Sequence, residues 1–100
     1  MIRGTTPTHT FVLPFDSTTV DKIKITYSQL DKEILTKTNK DVTFDGDNVI
    51  VTLSQAETFR FSEKNGAVSI QVRVVTTGGD ALASKIMSVG VGKCLDKEVL

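Results

Sequence analysis

The run A-V-S-I-Q-V-R-V-V-T, Ala67 to Thr76, constrains this chain more than any other stretch. Val68, Ile70, Val72 and Val74 alternate with Ser69, Gln71 and Arg73. A period of two becomes one apolar face only in an extended strand. Shifting its pairing by one residue would turn all four apolar side chains to solvent, so its register is tightly specified. The same alternation recurs along the chain. Thr8 to Pro14 places Phe11 and Leu13 on one side, and Lys22 to Gln29 places Ile23, Ile25 and Tyr27 opposite Lys24 and Thr26. Glu33 to Thr38 follows a short polar connection, with Ile34 and Leu35 adjacent. Asp41 to Phe44 aligns Val42 with Phe44, and Val49 to Leu53 aligns Val49, Val51 and Leu53.

Turn chemistry separates these segments. D-G-D-N at Asp45 to Asn48 predicts a hairpin, because Gly46 takes positive φ without steric cost. Asn65-Gly66 and Thr77-Gly78-Gly79-Asp80 predict further reversals. Ala81 to Lys93 is expected to form the last long strand, with a phase shift near Ser84 to Met87 that marks a β-bulge. One stretch, L-S-Q-A-E-T-F-R-F from Leu53, breaks the alternation. Ser54 with Glu57 three residues on has capping-box spacing and predicts one helical turn over Ser54 to Thr58. Phe59 and Phe61 are then expected on a short strand entering the core. In F-V-L-P-F-D, Pro14 cannot donate to a ladder and suits a strand end. Phe11, Leu13 and Phe15 share a face, so this stretch reads as the exit of the first strand, with Asp16 opening the polar turn D-S-T-T.

About a third of the residues are Thr, Val or Ile, which lose rotamer freedom in helices and fit a pleated surface. No segment offers a helix long enough to cross over between parallel strands. The chain is therefore expected to be all-β: one domain over residues 1–100, an antiparallel β-sandwich of about seven or eight strands. A closed small barrel is the alternative architecture. An edge strand with Val12 or Val75 on its outer face is expected either to pair with a second copy or to be covered, because unpaired edges invite pairing.

Charge and cysteine content narrow the setting. Twelve basic and twelve acidic residues cancel without a block of either sign, which gives no footing for nucleic-acid binding. Cys94 is the only cysteine, so no internal disulfide forms, and a reducing compartment is favoured. The start M-I-R-G-T-T-P-T lacks the apolar core of a signal peptide, and no apolar run approaches a membrane span.

Candidate chemistry is sparse. His9 is the only histidine and has no second ligand or base partner nearby in sequence, so it is expected as an exposed or edge residue. Cys94 carries no nucleophile signature and fits the end of a strand as a small apolar residue. Asp41, Asp45 and Asp47 around Gly46 lack the spacing of a calcium loop and fit turn chemistry better. Gly90-Val91-Gly92-Lys93 lacks the second glycine spacing and the Ser or Thr of a phosphate-binding loop, and its glycines suit close backbone packing. The expectation is no enzyme, with no catalytic, cofactor-binding or metal residues, and a binding or assembly module instead.

Four stretches, T-H-T-F-V-L-P-F-D, L-S-Q-A-E-T-F-R-F, V-S-I-Q-V-R-V-V-T-T-G-G-D-A-L-A-S and the terminal G-K-C-L-D-K-E-V-L, resemble a family of small phage proteins found in prophages of Gram-positive bacteria. The L-P-F-D opening is also similar to that of the amino-terminal Ig-like domain of phage baseplate upper proteins. The resemblance implies an Ig-like sandwich and a virion-structural or assembly role at tail or baseplate, with other phage-encoded proteins as partners. It further implies synthesis in the host cytoplasm, with the virion as a final location. A carbohydrate-binding adhesion module and a host-directed regulatory protein are the alternatives. The sugar reading is weakened by the absence of tryptophan and by Tyr27 being the only tyrosine.

Overall fold

Alternation of β-branched residues becomes ladder pairing almost throughout the computed structural model, which describes residues 1–100. Eight strands form: β1 Thr8–Val12, β2 Val20–Gln29, β3 Lys32–Thr38, β4 Val42–Asp45, β5 Asn48–Thr52, β6 Val68–Thr76, β7 Ala81–Ala83 and β8 Met87–Val89. One short helix, α1 Gln55–Thr58, and two 3₁₀ turns, Ser17–Thr19 and Asn39–Asp41, complete the set. The strands divide into a three-stranded sheet, β1-β5-β4, and a five-stranded sheet, β3-β2-β6-β7, in which β8 also pairs with β6. Every ladder between these strands is antiparallel.

This order defines the class. In an immunoglobulin sandwich strands A, B, E and D share one sheet, and C, F and G share the other, with C′ added beyond C in variable-type domains. Here β1, β5 and β4 take the places of B, E and D, while β3, β2, β6 and β7 take those of C′, C, F and G. The chain is an Ig-like β-sandwich, with two separate sheets in place of a closed barrel. Strand A is missing from beside β1.

The core lies between the sheets. Ile23, Ile25 and Tyr27 on β2 stand directly opposite Val74, Val72 and Ile70 on β6, and all six are buried. Val49 and Val51 from β5 with Leu53 and Phe61 close it from the other side. Immunoglobulin domains of antibodies pack a tryptophan of strand C on a disulfide. Here Tyr27 lies at the centre of the core, fully buried against Phe61 at 6.1 Å between ring centroids.

Three expectations change. Phe59 and Phe61 are not on a strand: they follow α1 in a turn, and Phe61 enters the core from a loop. The Phe59 N–H donates to the Gln55 carbonyl (3.1 Å) and the Phe61 N–H to the Thr58 carbonyl (3.3 Å), so the chain coils on itself and offers no free ladder. The segment Ala81 to Lys93 is two short strands rather than one long one, because Ser84 captures the ladder between them. Its backbone N–H donates to the Val72 carbonyl (2.8 Å), and its Oγ accepts from the Val72 N–H (3.0 Å). Val75 lies on β6, which is flanked by β2 and β7, and is therefore not an edge residue.

The turn between β2 and β3 carries a local conflict. Leu30 and Asp31 both have positive φ, 51° and 59°, as a two-residue type I′ turn demands. Residues other than Gly, Asn and Asp resist this region, at a cost of about 1–2 kcal/mol per residue in sustained left-handed geometry, so the conflict sits chiefly at Leu30. Leu30 is also 73% exposed, so packing returns little of that cost. Replacing Leu30-Asp31 by Asn-Gly should raise unfolding stability by about 1 kcal/mol or more in urea denaturation, with no change in the slope of the transition.

Candidate functional site

The strongest surface feature is the open side of the sandwich left by the missing strand A. The amino terminus does not pair with β1 because its polar groups are engaged elsewhere. The Met1 ammonium donates to the Gly90 carbonyl (2.8 Å), and the Gly92 N–H donates to the Met1 carbonyl (2.6 Å). Ile2 forms a parallel bridge with Gly92, whose lack of a side chain leaves room for the Ile2 chain. The Gly4 N–H donates to Thr58 Oγ1 (2.9 Å) at the end of α1, and a side chain at Gly4 would collide with the Phe59 ring. Arg3 fixes the same corner through Glu63 (3.1 Å) and the Phe59 carbonyl (3.0 Å). The close packing expected of these glycines is found at Gly92, while Gly90 faces open space and anchors the amino-terminal strap through its carbonyl.

With the strap held there, β1 is bonded on one side only, to β5. Between β1 and β7 runs a groove of about 410 Å³, floored by Phe11, Leu13, Phe15, Val72, Val74 and Met87. Val12 on its rim is 74% exposed, and Leu82 in its lining is exposed as well. No charged residue lines it. F-V-L-P-F-D builds one wall. Leu13 is buried, Pro14 ends the strand, and Asp16 caps the Ser17–Thr19 turn by accepting from the Thr18 N–H (2.9 Å). That bond holds the Asp16 carboxyl below its ordinary value.

Edges of natural sheets are guarded by charge, brevity, proline or cover. The edge strand β3 carries Lys32, Glu33 and Lys37, β4 has four residues, and β7 has three. β1, Thr-His-Thr-Phe-Val, has none of these guards within its five residues; its prolines, Pro7 and Pro14, lie outside the strand. This edge can accept main-chain hydrogen bonds from an extended segment, and the adjoining groove can take that segment's alternate apolar side chains.

The residues singled out for chemistry fall in separate places. His9 is on the edge strand, as expected, but faces inward and is half-buried, and its Nδ1 shares a hydrogen bond with the Tyr27 hydroxyl (2.8 Å). Burial first, then the amino-terminal charge, lowers its pKa. Burial, helped by the Glu57 charge, raises that of Tyr27. The pair therefore stays neutral at pH 7, a satisfied polar seam inside the core. Alternation alone could have placed His9 with Phe11 on the inner face; its polarity argued the other way. Tyr27, fully buried, presents no ring to a sugar. Cys94 is half-buried beyond the last strand rather than at a strand end, and its thiol donates to the Asp96 carbonyl (2.9 Å). Asp41 belongs to the Asn39–Asp41 turn, where its carboxylate accepts from the Thr38 N–H (2.9 Å). Asp45 and Asp47 lie at the far end of β4, around the turn at Gly46, φ 60°.

A second polar element was not foreseen. Lys37 points inward from β3 and pairs with Glu57 of α1 at 2.6 Å. Glu57 also accepts from the Ser54 N–H (2.9 Å), completing the predicted capping box. Burial works against its ionisation, but the Lys37 and Ser54 bonds outweigh it and hold the carboxyl below its ordinary value.

Searches with family models and against curated proteins give no match. Among solved structures, the V domain of amphioxus IgVJ-C2 aligns over 91% of this chain and 96% of that one, at 13% identity and a TM-score of 0.39. No helix of the chain is long and apolar enough to cross a membrane.

His9 yields a pH prediction. Its folded pKa lies below the unfolded value near 6.5, so the unfolded chain binds the extra proton. The stabilising contribution is complete above about pH 6.5 and is lost as pH falls through the folded pKa. The melting temperature of the wild type should drop between about pH 7.5 and 5. His9→Gln should remove most of that slope; an identical slope in the variant would refute the assignment.

Proposed function

We propose that this chain is a small structural or assembly protein of a phage or prophage, acting at the tail or baseplate by binding an extended segment of another phage-encoded protein. The observation that carries the reading is the unguarded β1 edge beside the uncharged apolar groove. A strand laid along β1 would take the place of strand A and cover Val12, Leu82 and the groove floor. The phage setting rests on the resemblance of F-V-L-P-F-D and the three other stretches. A catalytic role gains no support from the arrangement, since His9 and Tyr27 occupy each other inside the core.

Val12→Lys is the direct test. The site is exposed, so stability should change by less than about 0.5 kcal/mol. A charge on the edge opposes strand addition. Particles carrying the variant should contain the protein at a small fraction of the wild-type amount by quantitative mass spectrometry. Wild-type protein absent from both virions and assembly intermediates would refute the reading.

A further inference from the structure

A second surface lies on the outer face of the five-stranded sheet, and it is charged. The ladder registers line up Thr38, Lys24, Arg73 and Ala83 in one row across β3, β2, β6 and β7. Lys22, Val75 and Ala81 form the next row. Lys24 and Arg73 are therefore direct cross-strand neighbours, a like-charge pairing that is unfavourable by itself. Lys22, Lys24 and Arg73 are all exposed, and none joins either of the chain's two ion pairs, Arg3–Glu63 and Lys37–Glu57. They line a groove of about 520 Å³ that has no carboxylate in its wall. Its floor is low because Ala81 and Ala83 are small. Asn39 is occupied in the wall, accepting from the Ile23 N–H (2.9 Å) and donating to the Asp21 carbonyl (3.0 Å).

The complementary charge is on the same chain. Asp45 and Asp47 flank the β4–β5 turn, exposed and without a hydrogen bond to either carboxylate, and Gly46 between them faces open space. The turn is rigidly presented: the Gly46 carbonyl accepts from the Ser17 N–H (2.8 Å), and the Asp47 carbonyl from the Leu13 N–H (2.7 Å). Asp16, adjacent to Ser17, adds a third exposed carboxylate. No Lys or Arg interrupts 16–19 or 44–49. The chain thus carries an unpaired cationic groove and an unpaired acidic hairpin, and its total charge is zero.

We propose that the cationic groove receives the acidic β4–β5 hairpin of a second copy of this chain. The two surfaces differ, so the contact is head-to-tail and repeats into a ring or an open filament. Its attraction is electrostatic and screened by salt. The groove holds no aromatic side chain on which a base could stack, which favours carboxylates over single-stranded nucleic acid as the anion. This inference does not rest on the β1 edge and can stand or fall separately.

Sedimentation velocity on the whole chain tests it, at about 10 mM and about 1 M salt, where the Debye length falls from about 30 Å to about 3 Å. The wild type should associate at low salt, with an apparent dissociation constant at least about tenfold weaker at high salt. One variant, K24Q with R73Q, loses the groove charge; another, D45N with D47N, loses the hairpin charge. Each alone should remain monomeric, while their equimolar mixture should give a dimer that grows no further, which also shows that both variants fold. The proposal is overturned if the wild type stays monomeric at low salt up to about 1 mM. Association unchanged by either variant overturns it too. So does a monomer whose groove binds a poly-glutamate peptide, which would assign the site to a foreign acidic partner. A monomer whose Lys24 and Arg73 bind a single-stranded oligonucleotide would do the same.

Discussion

The antiparallel register between β2 and β6 is the constraint on which the rest depends. It sets Ile23 against Val74, Ile25 against Val72 and Tyr27 against Ile70, so three rows of apolar side chains are buried by one ladder. Each row removes two large side chains from water, at about 1.5–3 kcal/mol per fully buried residue, less what the unfolded chain already buries. A slip by one residue would expose all of them. The same register leaves no freedom on the outer face. With Ile23 and Ile25 inward, Lys24 must point outward, and its cross-strand neighbour must be Arg73. The cationic groove is thus a consequence of the core ladder read from its other side.

The second organising element is the corner at α1. Ser54 and Glu57 cap the short helix reciprocally, Glu57 reaches Lys37 on the opposite sheet, and Thr58, fully buried, accepts from Gly4 and donates to a neighbouring carbonyl. A four-residue helix has no independent stability in water, so these ties hold it. They also decide the fate of the amino terminus. Because residues 1–5 are bound to Thr58, Gly90 and Gly92, they are not available to pair with β1. The open side of the sandwich follows from where the strap is fastened.

Much of this was legible from periodicity and turn chemistry, which are local. β2, β6, the hairpin at Gly46 and the capping box at Ser54 all lie where the sequence placed them, because each is specified by residues within a few positions. Non-local competition decided the misses. Ser84 broke the last strand by bonding to Val72, twelve residues away, and Phe61 reached the core from a coiled turn in place of a strand. His9 looked like a surface residue because its partner, the Tyr27 hydroxyl, lies on the other sheet. The candidate sites were less visible still. An unpaired edge is defined by a strand that is absent, and a charge row by pairing across four strands. Neither leaves a contiguous mark in the chain.

The two surfaces differ in the physics that would fill them. The β1 edge offers directional main-chain bonds beside an uncharged groove, so its occupant is selected by backbone shape and alternate apolar side chains. The outer sheet face offers three cations over small residues, so its occupant is selected by charge, and the encounter is hastened by it. They lie on different layers of the sandwich, one between the sheets at their margin and the other on the exterior of the larger sheet. Occupying one therefore leaves the other's defining groups free, apart from Val74 of β6 and Leu82 and Ala83 of β7, which line both grooves. Coupling between the two sites should run through β7 rather than through Val74, which is fixed in the core ladder opposite Ile23. Strand β7 is held by its pairing with β6, and all three of its residues are exposed, so little burial resists a shift.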